Sequence, residues 1–479
     1  MDVTVHSYAV ARGFDEYFSG LGNGVHRHAL HLLNRASEAG FDRLAQQLLQ
    51  AQQQLLRDGV EYRLDAPTPT HPERFLPFDP LPRLILSSEW DRLVGGLQQR
   101  SRALDALVDD LYGAQRIVRD GVIPEALITS SPFWRPELRG CGGQGRRWCA
   151  VAAFDLIRIA HDGWLVLEEN LRRGTGIGYA LAARETSIAH FPWLMDGYGI
   201  APIHVGLECM REALVSLAPW RENPDLVVLT PGRQTSAFYE HNRLAAGMGI
   251  PVHEPQELWV EAGRVWRQAP AGVVPVDVIY RRNEDFYPSS VRDVDLLLGI
   301  PGLMEVWREG SVAIANPPGT GIASDKLLYS FIPEVIRYYL AEDPLLAQVP
   351  TYRCFDALER AHVLSQLEHL VVKQVGGAGG VGMLMGPEST LEQRQHFAAL
   401  IEQSPRHFVA QPVQELSTLP CWREGRLRRC SVDLRPFVVF GDQPSCLPGA
   451  LTRVALVPES KVVNLSQGGG YKDTWLLSA

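Results

Sequence analysis

The sequence lacks the features that mark membrane and secreted proteins. It has no apolar run of about 18 residues, the length that a transmembrane helix requires. The segment Met1–Gly13 has no apolar core of the kind found in signal peptides. We therefore expect a cytoplasmic protein with no membrane partner.

Cysteine is scarce, and positive charge is not in excess. The chain of 479 residues has 7 cysteines, none in a Cys-x-x-Cys pair, and Cys141 and Cys149 have no histidine pair at zinc spacing. Free thiols are therefore expected rather than disulfides or a zinc site. The net charge of −9 argues against a nucleic-acid partner, although a local basic groove is compatible with it.

The chain also has no low-complexity tract and no internal repeat, and its composition is that of a globular protein. Its length suggests about two to four domains. Leucines recur at helical spacing in residues 14–65 and in Glu89–Tyr112, which predicts two helical regions, the second ending at Gly113. Between them, Phe75–Arg83 is rich in proline and predicts a buried loop or an extended edge strand.

The stretch Val371–Gly382 indicates a site for a polyphosphate. A β-branched run ends in Lys373, and five glycines follow within Gly376–Gly382. Glycine lets successive backbone N–H groups turn toward an anion, and the lysine adds a positive charge. The Gly-Lys-Ser/Thr ending of a Walker loop is absent. A plain hairpin turn is the alternative, since glycine turns also link ordinary strands.

A β-hairpin is predicted around Asp162-Gly163, a favoured two-residue loop. In that register Asp155 faces Asn170, and Glu168 lies two residues from Asn170 on the same face. Oxygens of these three side chains suit a Mg²⁺ ion that bridges phosphates. A solvated polar face of the hairpin is the alternative.

The glycines that follow the hairpin, in Gly174–Gly178, do not complete a dinucleotide fingerprint. Tyr179 stands where the last glycine should be. The preceding strand also ends in acidic residues, which repel a pyrophosphate. Rossmann-type cofactor binding is therefore not predicted here.

The middle of the chain predicts parallel α/β structure. A strand, a helix and a second strand follow one another in residues 225–257, and Val276–Tyr280 adds a further buried strand. This last strand leads into Arg281 and Arg282. Ligands bind beyond the carboxyl ends of strands in open α/β sheets, so this cluster is a candidate substrate site. A solvated loop is the alternative.

A helix is predicted to run through Tyr339, with Ser324 as its cap. Lys326 lies in its first turn, where the helix dipole disfavours a cation. We interpret Lys326 as a second phosphate ligand, against the alternative of a plain surface lysine. Further along, Arg435 lies among apolar residues in a predicted strand, and a buried arginine needs a partner.

Taken in order, these elements are arranged as in ATP-grasp enzymes: a lysine at a helix start, a lysine ending a strand, a glycine loop, an apolar hinge strand and an arginine in a strand. The Asp and Glu-x-Asn magnesium motif of that fold should follow them, but here it lies nearer the N-terminus. The chain therefore resembles the circularly permuted ATP-grasp proteins along nearly its full length. The matching stretches are Pro77–Asp79, Glu169–Arg172, Val278–Arg282, Ala315–Asn316, Asp325–Lys326, Val371–Lys373, Asp433–Phe437, Leu451–Arg453, Ser466–Gly470 and Lys472–Asp473.

The resemblance implies an α/β (α+β) fold of ATP-grasp architecture, circularly permuted, with a helical N-terminal region. It implies ATP and Mg²⁺ as cofactors. It divides the chain into a helical region at residues 1–140, a core segment with the metal motif at 141–220, a βαβ substrate domain at 221–315 and a nucleotide-binding segment at 316–479.

The same resemblance assigns roles to individual residues. The implied nucleotide-binding residues are Lys326, Lys373, Gln411 at the adenine hinge, and the lid glycines Gly376, Gly377, Gly379, Gly380 and Gly382. The implied metal ligands are Asp155, Glu168 and Asn170. Arg435 and Arg453 would stabilise an acyl phosphate or the γ-phosphate, and Arg281, Arg282 and Lys472 would bind substrate.

The implied reaction is the ATP-dependent joining of a carboxylate to an amine through an acyl phosphate, with release of ADP and phosphate. The expected partners are small-molecule or peptide substrates, together with a helical protein encoded nearby. Two alternatives stay open. A phosphotransferase would use the same nucleotide site with another acceptor, and a non-catalytic scaffold would bind nucleotide without turnover.

Overall fold

The computed structural model of the chain describes residues 8, 13–19, 24–61, 76–161, 163–286, 294–377, 382–456, 463 and 469–478. Three predicted features lie outside these residues, namely Asp162 of the hairpin loop, the lid glycines Gly379 and Gly380, and most of the stretch Ser466–Gly470. No helix in the described part of the chain combines the length and apolar character needed to cross a membrane.

Strands and helices alternate with irregular segments through the described residues. The strands are β1 (Phe78–Leu86), β2 (Val151–Ala160), β3 (Gly163–Asn170), β4 (Leu226–Leu229), β5 (Val252–His253), β6 (Leu258–Glu261), β7 (Arg264–Ala269), β8 (Gly272–Val276), β9 (Val278–Arg281), β10 (Ala313–Ala315), β11 (Tyr352–Arg353), β12 (Leu370–Gln374), β13 (Leu384–Met385), β14 (Phe408–Pro412), β15 (Thr418–Arg423), β16 (Arg426–Phe440), β17 (Pro444–Val454) and β18 (Gly470–Leu477).

The α-helices are α1 (Gly24–Ala39), α2 (Phe41–Arg57), α3 (Ser87–Tyr112), α4 (Arg116–Arg119), α5 (Glu125–Thr129), α6 (Ile177–His190), α7 (Pro192–Met195), α8 (Val205–Ser216), α9 (Phe238–Met248), α10 (Leu303–Arg308), α11 (Lys326–Tyr329), α12 (Ile332–Leu340), α13 (Ala357–Ser365) and α14 (Leu391–Gln403). The predicted N-terminal helices and the helix that ends at Gly113 are confirmed.

A seven-stranded sheet forms the centre of the molecule. Its strand order is β1-β18-β17-β16-β2-β3, with β15 paired to β16. Apolar side chains alternate between its two faces: Phe154 and Leu434 join the core that contains α3, whereas Ala153 and Phe437 join the core that contains α1, α2, α6 and α8. Because its strands come from residues 78–86, 151–170 and 418–477, hydrogen bonds join segments that are distant in sequence.

The proline-rich segment is an edge strand of this sheet. Strand β1 contains Pro80 and Pro82 and pairs on one side only, parallel to β18. Proline cannot donate a ladder hydrogen bond, so an edge position accommodates it. The prediction of an extended edge is therefore confirmed.

Two smaller sheets complete the surroundings of the site. The predicted βαβ unit is confirmed as part of a parallel sheet with strand order β10-β9-β4-β5. An antiparallel sheet of order β11-β14-β12-β13 carries Lys373 and its glycine loop. A three-stranded sheet, β6-β7-β8, lies between β5 and β9 in the sequence and was not predicted.

Candidate functional site

A cavity of about 340 Å³ lies where these sheets meet. Its volume is within the usual range for small-molecule sites in proteins. The central sheet contributes Asp155 and Arg435, the antiparallel sheet contributes Lys373 and Gln411, and the loop after β4 contributes Ser236. Asp155 and Lys373 thus line one cavity although they lie on strands that are far apart in the sequence.

The metal-motif hairpin forms, but the predicted register was wrong. Asp155 pairs with Glu168, not with Asn170, and Asn170 pairs with Ala153. The cause is a loop that lies one residue earlier than predicted, with Ala160 pairing to Gly163. The two register shifts along the hairpin, one next to Ala160 and one next to Asp155, cancel at Asp155. The sequence pattern did not reveal the position of the loop, and that position sets the register.

Lys373 is a cation without a partner in the described part of the chain. It lies on β12 and lines the cavity, and no ion pair or hydrogen bond joins its ammonium to a described residue. Burial, with a smaller contribution from the ammonium of Lys326, lowers the pKa of Lys373 to about 8, although Glu168 and Asp155 oppose this effect. An anionic ligand in the cavity would favour the charged form.

Lys326 reaches the base of the glycine loop. Its ammonium donates to the carbonyl oxygen of Gly377 at 2.5 Å and lies 3.7 Å from a carboxylate oxygen of Glu168. The predicted cap was wrong: Asp325 caps α11 by accepting hydrogen bonds from the N–H groups of Leu327 and Leu328. Ser324 instead accepts a hydrogen bond from the N–H of Leu171. The predicted single helix is also divided, into α11 and α12.

The two predicted catalytic arginines belong to a buried network of charges. Arg435 donates to both carboxylate oxygens of Asp155, at 2.6 and 2.8 Å, and Arg453 donates to Asp155 at 2.8 Å and to Asp433. Burial by itself would raise the pKa of Asp155, but the two arginines outweigh it and hold that pKa well below its usual range. Asp155 is therefore an anion that fixes both guanidinium groups beside the cavity.

The oxygen donors suit a magnesium ion that also binds phosphate. Mg²⁺ is usually held by one or two carboxylates together with phosphate oxygens and water. Glu168 lines the cavity, its side chain is 31% exposed, and the amide of Asn170 is 3.5 Å from its carboxylate. Glu168 and Asn170 thus present accessible oxygens to the cavity, and their role as metal ligands stays a prediction. Both oxygens of Asp155 already accept hydrogen bonds from arginine. Asp155 as a direct ligand stays a prediction.

The other end of the cavity has the apolar character that a purine base requires. Gln411 lies on β14 and donates through its side-chain amide to the hydroxyl of Thr351 at 2.9 Å. Apolar side chains that line the cavity include Ile157, Leu167, Val349, Val371, Met383, Met385 and Val413. This arrangement is compatible with the predicted adenine hinge.

The described lid glycines lie at the mouth of the cavity. Gly376 and Gly377 line it, and Gly382 has a φ of 68°, a conformation that favours glycine. A Cβ atom at Gly382 would also lie 2.6 Å from the side chain of Gln374. The loop geometry therefore requires glycine at this position.

Two of the three predicted substrate residues point away from the cavity. Arg281 is fully buried, pairs with Asp285 at 2.9 Å and donates to backbone carbonyl groups. Lys472 is equally buried and pairs with Asp79 at 3.0 Å. Neither side chain lines the cavity, so the geometry does not support a substrate-binding role for them. Arg282 does line it.

The structure adds cavity residues that the sequence did not identify. Asp433 lies two positions before Arg435 on β16, on the same face, and that spacing was a usable signal. Arg172 and Arg173 follow the metal motif directly and also line the cavity. Ser236 and His241 belong to a loop and a helix after β4, and nothing in the sequence marked them.

Comparisons with known proteins agree with this architecture. A protein of Synechocystis sp. is 41% identical over 476 residues, which cover 99% of this chain and 98% of that protein. A protein of Mycobacterium tuberculosis is 42% identical over 410 residues, 85% of this chain and 74% of that protein. A Frankia alni protein with the provisional name glutamate–cysteine ligase 2-3 is 39% identical over 420 residues, 87% of this chain but 48% of that protein.

Among solved structures, a glutathione synthetase-like effector from Globodera pallida in its apo form matches with a TM-score of 0.51 and 12% identity. The match covers 90% of this chain and 97% of that one, and it bears on the fold alone. The model of the family described as circularly permuted ATP-grasp type 2 matches residues 82–455. The permuted order of motifs predicted from the sequence is therefore confirmed, and the chain belongs to the circularly permuted ATP-grasp family of type 2.

Proposed function

We propose that the protein is an ATP-dependent ligase that joins a carboxylate to an amine through an acyl phosphate and releases ADP and phosphate. The observation that carries the proposal is the clustering of Lys326, Lys373 and Arg435 around one cavity, beside Glu168 and Asn170. Phosphoryl transfer needs positioning and positive charge around the moving group, and it needs no protein nucleophile.

The side chains around the cavity suit the two steps of such a reaction. In the first step a carboxylate oxygen of the substrate bonds to the γ-phosphorus while the bond to the β-phosphate bridging oxygen breaks, so that ADP leaves. In the second step the amine nitrogen bonds to the acyl carbon, phosphate leaves, and the nitrogen loses a proton. Lys373 and Lys326 would face the negative charge on the phosphates, because ammonium groups stabilise that charge.

In this proposal Arg435 and Arg453 stabilise the negative charge on the acyl phosphate or the γ-phosphate. Asp155 and Asp433 hold both guanidinium groups in fixed orientations, so little reorganisation is needed when charge develops beside them. Glu168 and Asn170 would hold Mg²⁺, which would supply further neutralisation of the phosphate charge. The glycine loop would cover the phosphates and exclude water from the mixed anhydride.

Relatives support the ligase class at a general level. The provisional name of the Frankia alni protein is that of a glutamate–cysteine ligase, although this chain covers only 48% of it. Family membership supports ATP as the nucleotide. A screen of candidate acids and amines identifies the two substrates.

The test is to incubate the protein with Mg·ATP and pools of amino acids, peptides and polyamines, and to measure ADP, AMP and hydroxamate together. We expect carboxylate-dependent release of ADP, a further increase when an amine is added, and trapping of the acyl phosphate by hydroxylamine. Lys373→Met serves as a control for contaminating ATPase activity. AMP as the main product would contradict the proposal, as would a stable phosphorylated alcohol without hydroxamate.

A further inference from the structure

Arg172 and Arg173 form a pair of cations that share one carboxylate. Arg172 lies 3.0 Å and Arg173 2.5 Å from separate oxygens of Glu284. Within the described residues, Glu284 is the only carboxylate that either guanidinium contacts. Both arginines line the cavity, and 28% and 33% of their side-chain surfaces are exposed. One positive charge of this pair is therefore uncompensated and accessible.

The neighbouring groups do not supply the missing negative charge. In the described part of this cluster, five arginines are paired with three carboxylates: Arg135 and Arg281 with Asp285, Arg172 and Arg173 with Glu284, and Arg282 with Glu240. Partly buried cations in such excess repel one another unless an anion joins them. Burial lowers the pKa of Arg173, and Arg172, Arg282 and Arg281 add to this effect while Glu284 opposes it.

The backbone that carries the pair is held in place from two sides. Arg282 donates to the carbonyl oxygen of Gly174 and to the hydroxyl of Thr175, both at 2.9 Å. Glu240 accepts a hydrogen bond from the N–H of Gly176, and Arg435 donates to the carbonyl oxygen of Thr175 at 3.0 Å. Gly176 itself has a φ of 136°, and a Cβ there would lie 2.9 Å from Phe437. This segment is therefore prearranged rather than adaptable.

The cavity lining also includes neutral hydrogen-bonding groups. Thr235 and Ser236 line the cavity beyond the carboxyl end of β4, where open parallel sheets bind ligands. Neither hydroxyl is hydrogen-bonded to another described residue. His241 also lines the cavity, and burial keeps its pKa well below the usual value, so it adds no positive charge. The positive charge that would attract an anionic ligand to this part of the cavity therefore comes from Arg172 and Arg173.

We propose that Arg172 and Arg173 bind a second carboxylate of the acid that is activated, so that the substrate is a dicarboxylate. This inference rests on the proposed ligase function. One carboxylate of the substrate must lie beside the phosphate-binding lysines in order to be phosphorylated. The arginine pair is a separate positive centre in the same cavity, and guanidinium groups bind carboxylates with charge-assisted hydrogen bonds. A monocarboxylate would leave this centre unfilled.

The test is a binding measurement that does not depend on turnover. Succinate, glutarate and L-glutamate are titrated calorimetrically into the full-length protein, alone and with Mg²⁺ and a non-hydrolysable ATP analogue. Butyrate and valerate are the matched monocarboxylates. We expect the best diacid to bind roughly ten- to hundredfold more tightly than the monocarboxylates, the usual worth of a hydrogen bond to a charged group.

The variants Arg173→Gln and Arg172→Gln test directly whether the arginine pair binds the second carboxylate. Each variant should lose roughly tenfold in affinity for the diacid and keep its weak affinity for the monocarboxylates. Arg337→Gln is the matched control, because Arg337 forms an exposed ion pair with Asp343 at 2.9 Å and does not line the cavity. Circular dichroism and thermal unfolding of all three variants verify that they are folded.

Several results would overturn the proposal. Equal affinity for monoacids and diacids would do so, as would the absence of binding by any diacid with or without the nucleotide analogue. Loss of nucleotide affinity in Arg173→Gln with unchanged diacid affinity would assign the pair to the phosphates instead. If diacids bind through the arginines but no hydroxamate forms, the ligase proposal fails and the subsite stands. If monoacids alone yield hydroxamate, the ligase stands and the dicarboxylate proposal fails.

Discussion

Lys373 and Lys472 are the same residue type in two different regions of the molecule. Each lies on a strand in the C-terminal part of the chain. Lys472 lies inside the seven-stranded sheet, where it is fully buried, pairs with Asp79 at 3.0 Å and donates to the carbonyl oxygen of Pro420. Lys373 lies at the cavity wall and has no partner in the described part of the chain.

The two environments shift the lysine pKa in opposite directions. Burial lowers the pKa of Lys373 to about 8, and the nearby carboxylates do not offset it. Burial would also lower the pKa of Lys472, but Asp79 outweighs burial and raises it. The removal of a buried lysine with a paired charge leaves its counter-ion unpaired, whereas a lysine with an unpaired charge is available to a ligand.

Removing the paired lysine should give the largest effect. Lys472→Met leaves the buried carboxylate of Asp79 without its counter-ion, and we expect the free energy of unfolding to fall by about 3–5 kcal/mol. Urea unfolding followed by circular dichroism measures this change. The double variant Asp79→Asn with Lys472→Met should recover part of the loss, because it removes the unpaired charge. A single variant as stable as the wild type would show that the pair does not stabilise the sheet.

Removing the unpaired lysine should instead affect binding. Lys373→Met is expected to weaken Mg·ATP binding roughly ten- to hundredfold, the worth of a hydrogen bond to a charged group. Its free energy of unfolding should not fall, since no partner is left unsatisfied and the cost of burying an unpaired ammonium is removed. Calorimetric titration and urea unfolding of the same preparation separate the two effects. Normal nucleotide binding together with marked destabilisation would make Lys373 a structural residue.

The pH dependence of binding should distinguish the two lysines further. The ammonium of Lys373 in the free protein deprotonates near pH 8, so affinity for Mg·ATP should fall about tenfold between pH 7 and pH 9. The stability contribution has the opposite sign. The folded-state pKa lies below the ordinary value of 10.5, so the unfolded state holds more protons between the two values, and this group makes stability rise with pH there. The Lys373→Met variant should lose this pH dependence of Mg·ATP affinity. An unchanged pH profile would refute the assignment of Lys373 as the group that titrates.

The smallest effect concerns the carboxylate beside the lysines. Glu168→Gln removes one partly exposed charge, worth about 1 kcal/mol, so the Mg²⁺ concentration needed for half-maximal nucleotide binding should rise roughly fivefold. Glu342→Gln is the matched control, since Glu342 forms an exposed ion pair with Arg102. Equal magnesium dependence in the two variants would argue against Glu168 as a ligand.

Much of the candidate site was predictable because its signals are local. A β-branched run before a glycine loop marked Lys373, and a cation in a first helical turn marked Lys326. The hairpin with Asp155 and Glu168 was also correct in outline, but its register was not. Moving a two-residue loop by one position changes the cross-strand partner by two residues, here from Asn170 to Glu168. Such a shift keeps every side chain on its face and therefore leaves the hydrophobic pattern unchanged.

The predicted substrate residues show the limit of what the sequence indicates about the site. Arg281, Arg282 and Lys472 were selected because polar groups follow buried strands, yet two of the three are engaged in the interior. Arg172 and Arg173, which line the cavity, were noted only within or beside a family motif. The residues next to a charged side chain in the sequence do not indicate whether its counter-ion is another part of the chain or a ligand.

The sequence by itself determined the order of the elements, the permuted family and the two lysines of the candidate site. Periodicity, glycine spacing and turn residues are properties of short segments, and short segments are read directly from the chain. Only the tertiary structure decided which charges are satisfied. Asp79 pairs with Lys472, Asp155 with Arg435, and Glu284 with both Arg172 and Arg173, in each case across long sequence separations. Electrostatic pairing depends on distance in space and on burial, and both are fixed only when the sheets assemble around the cavity.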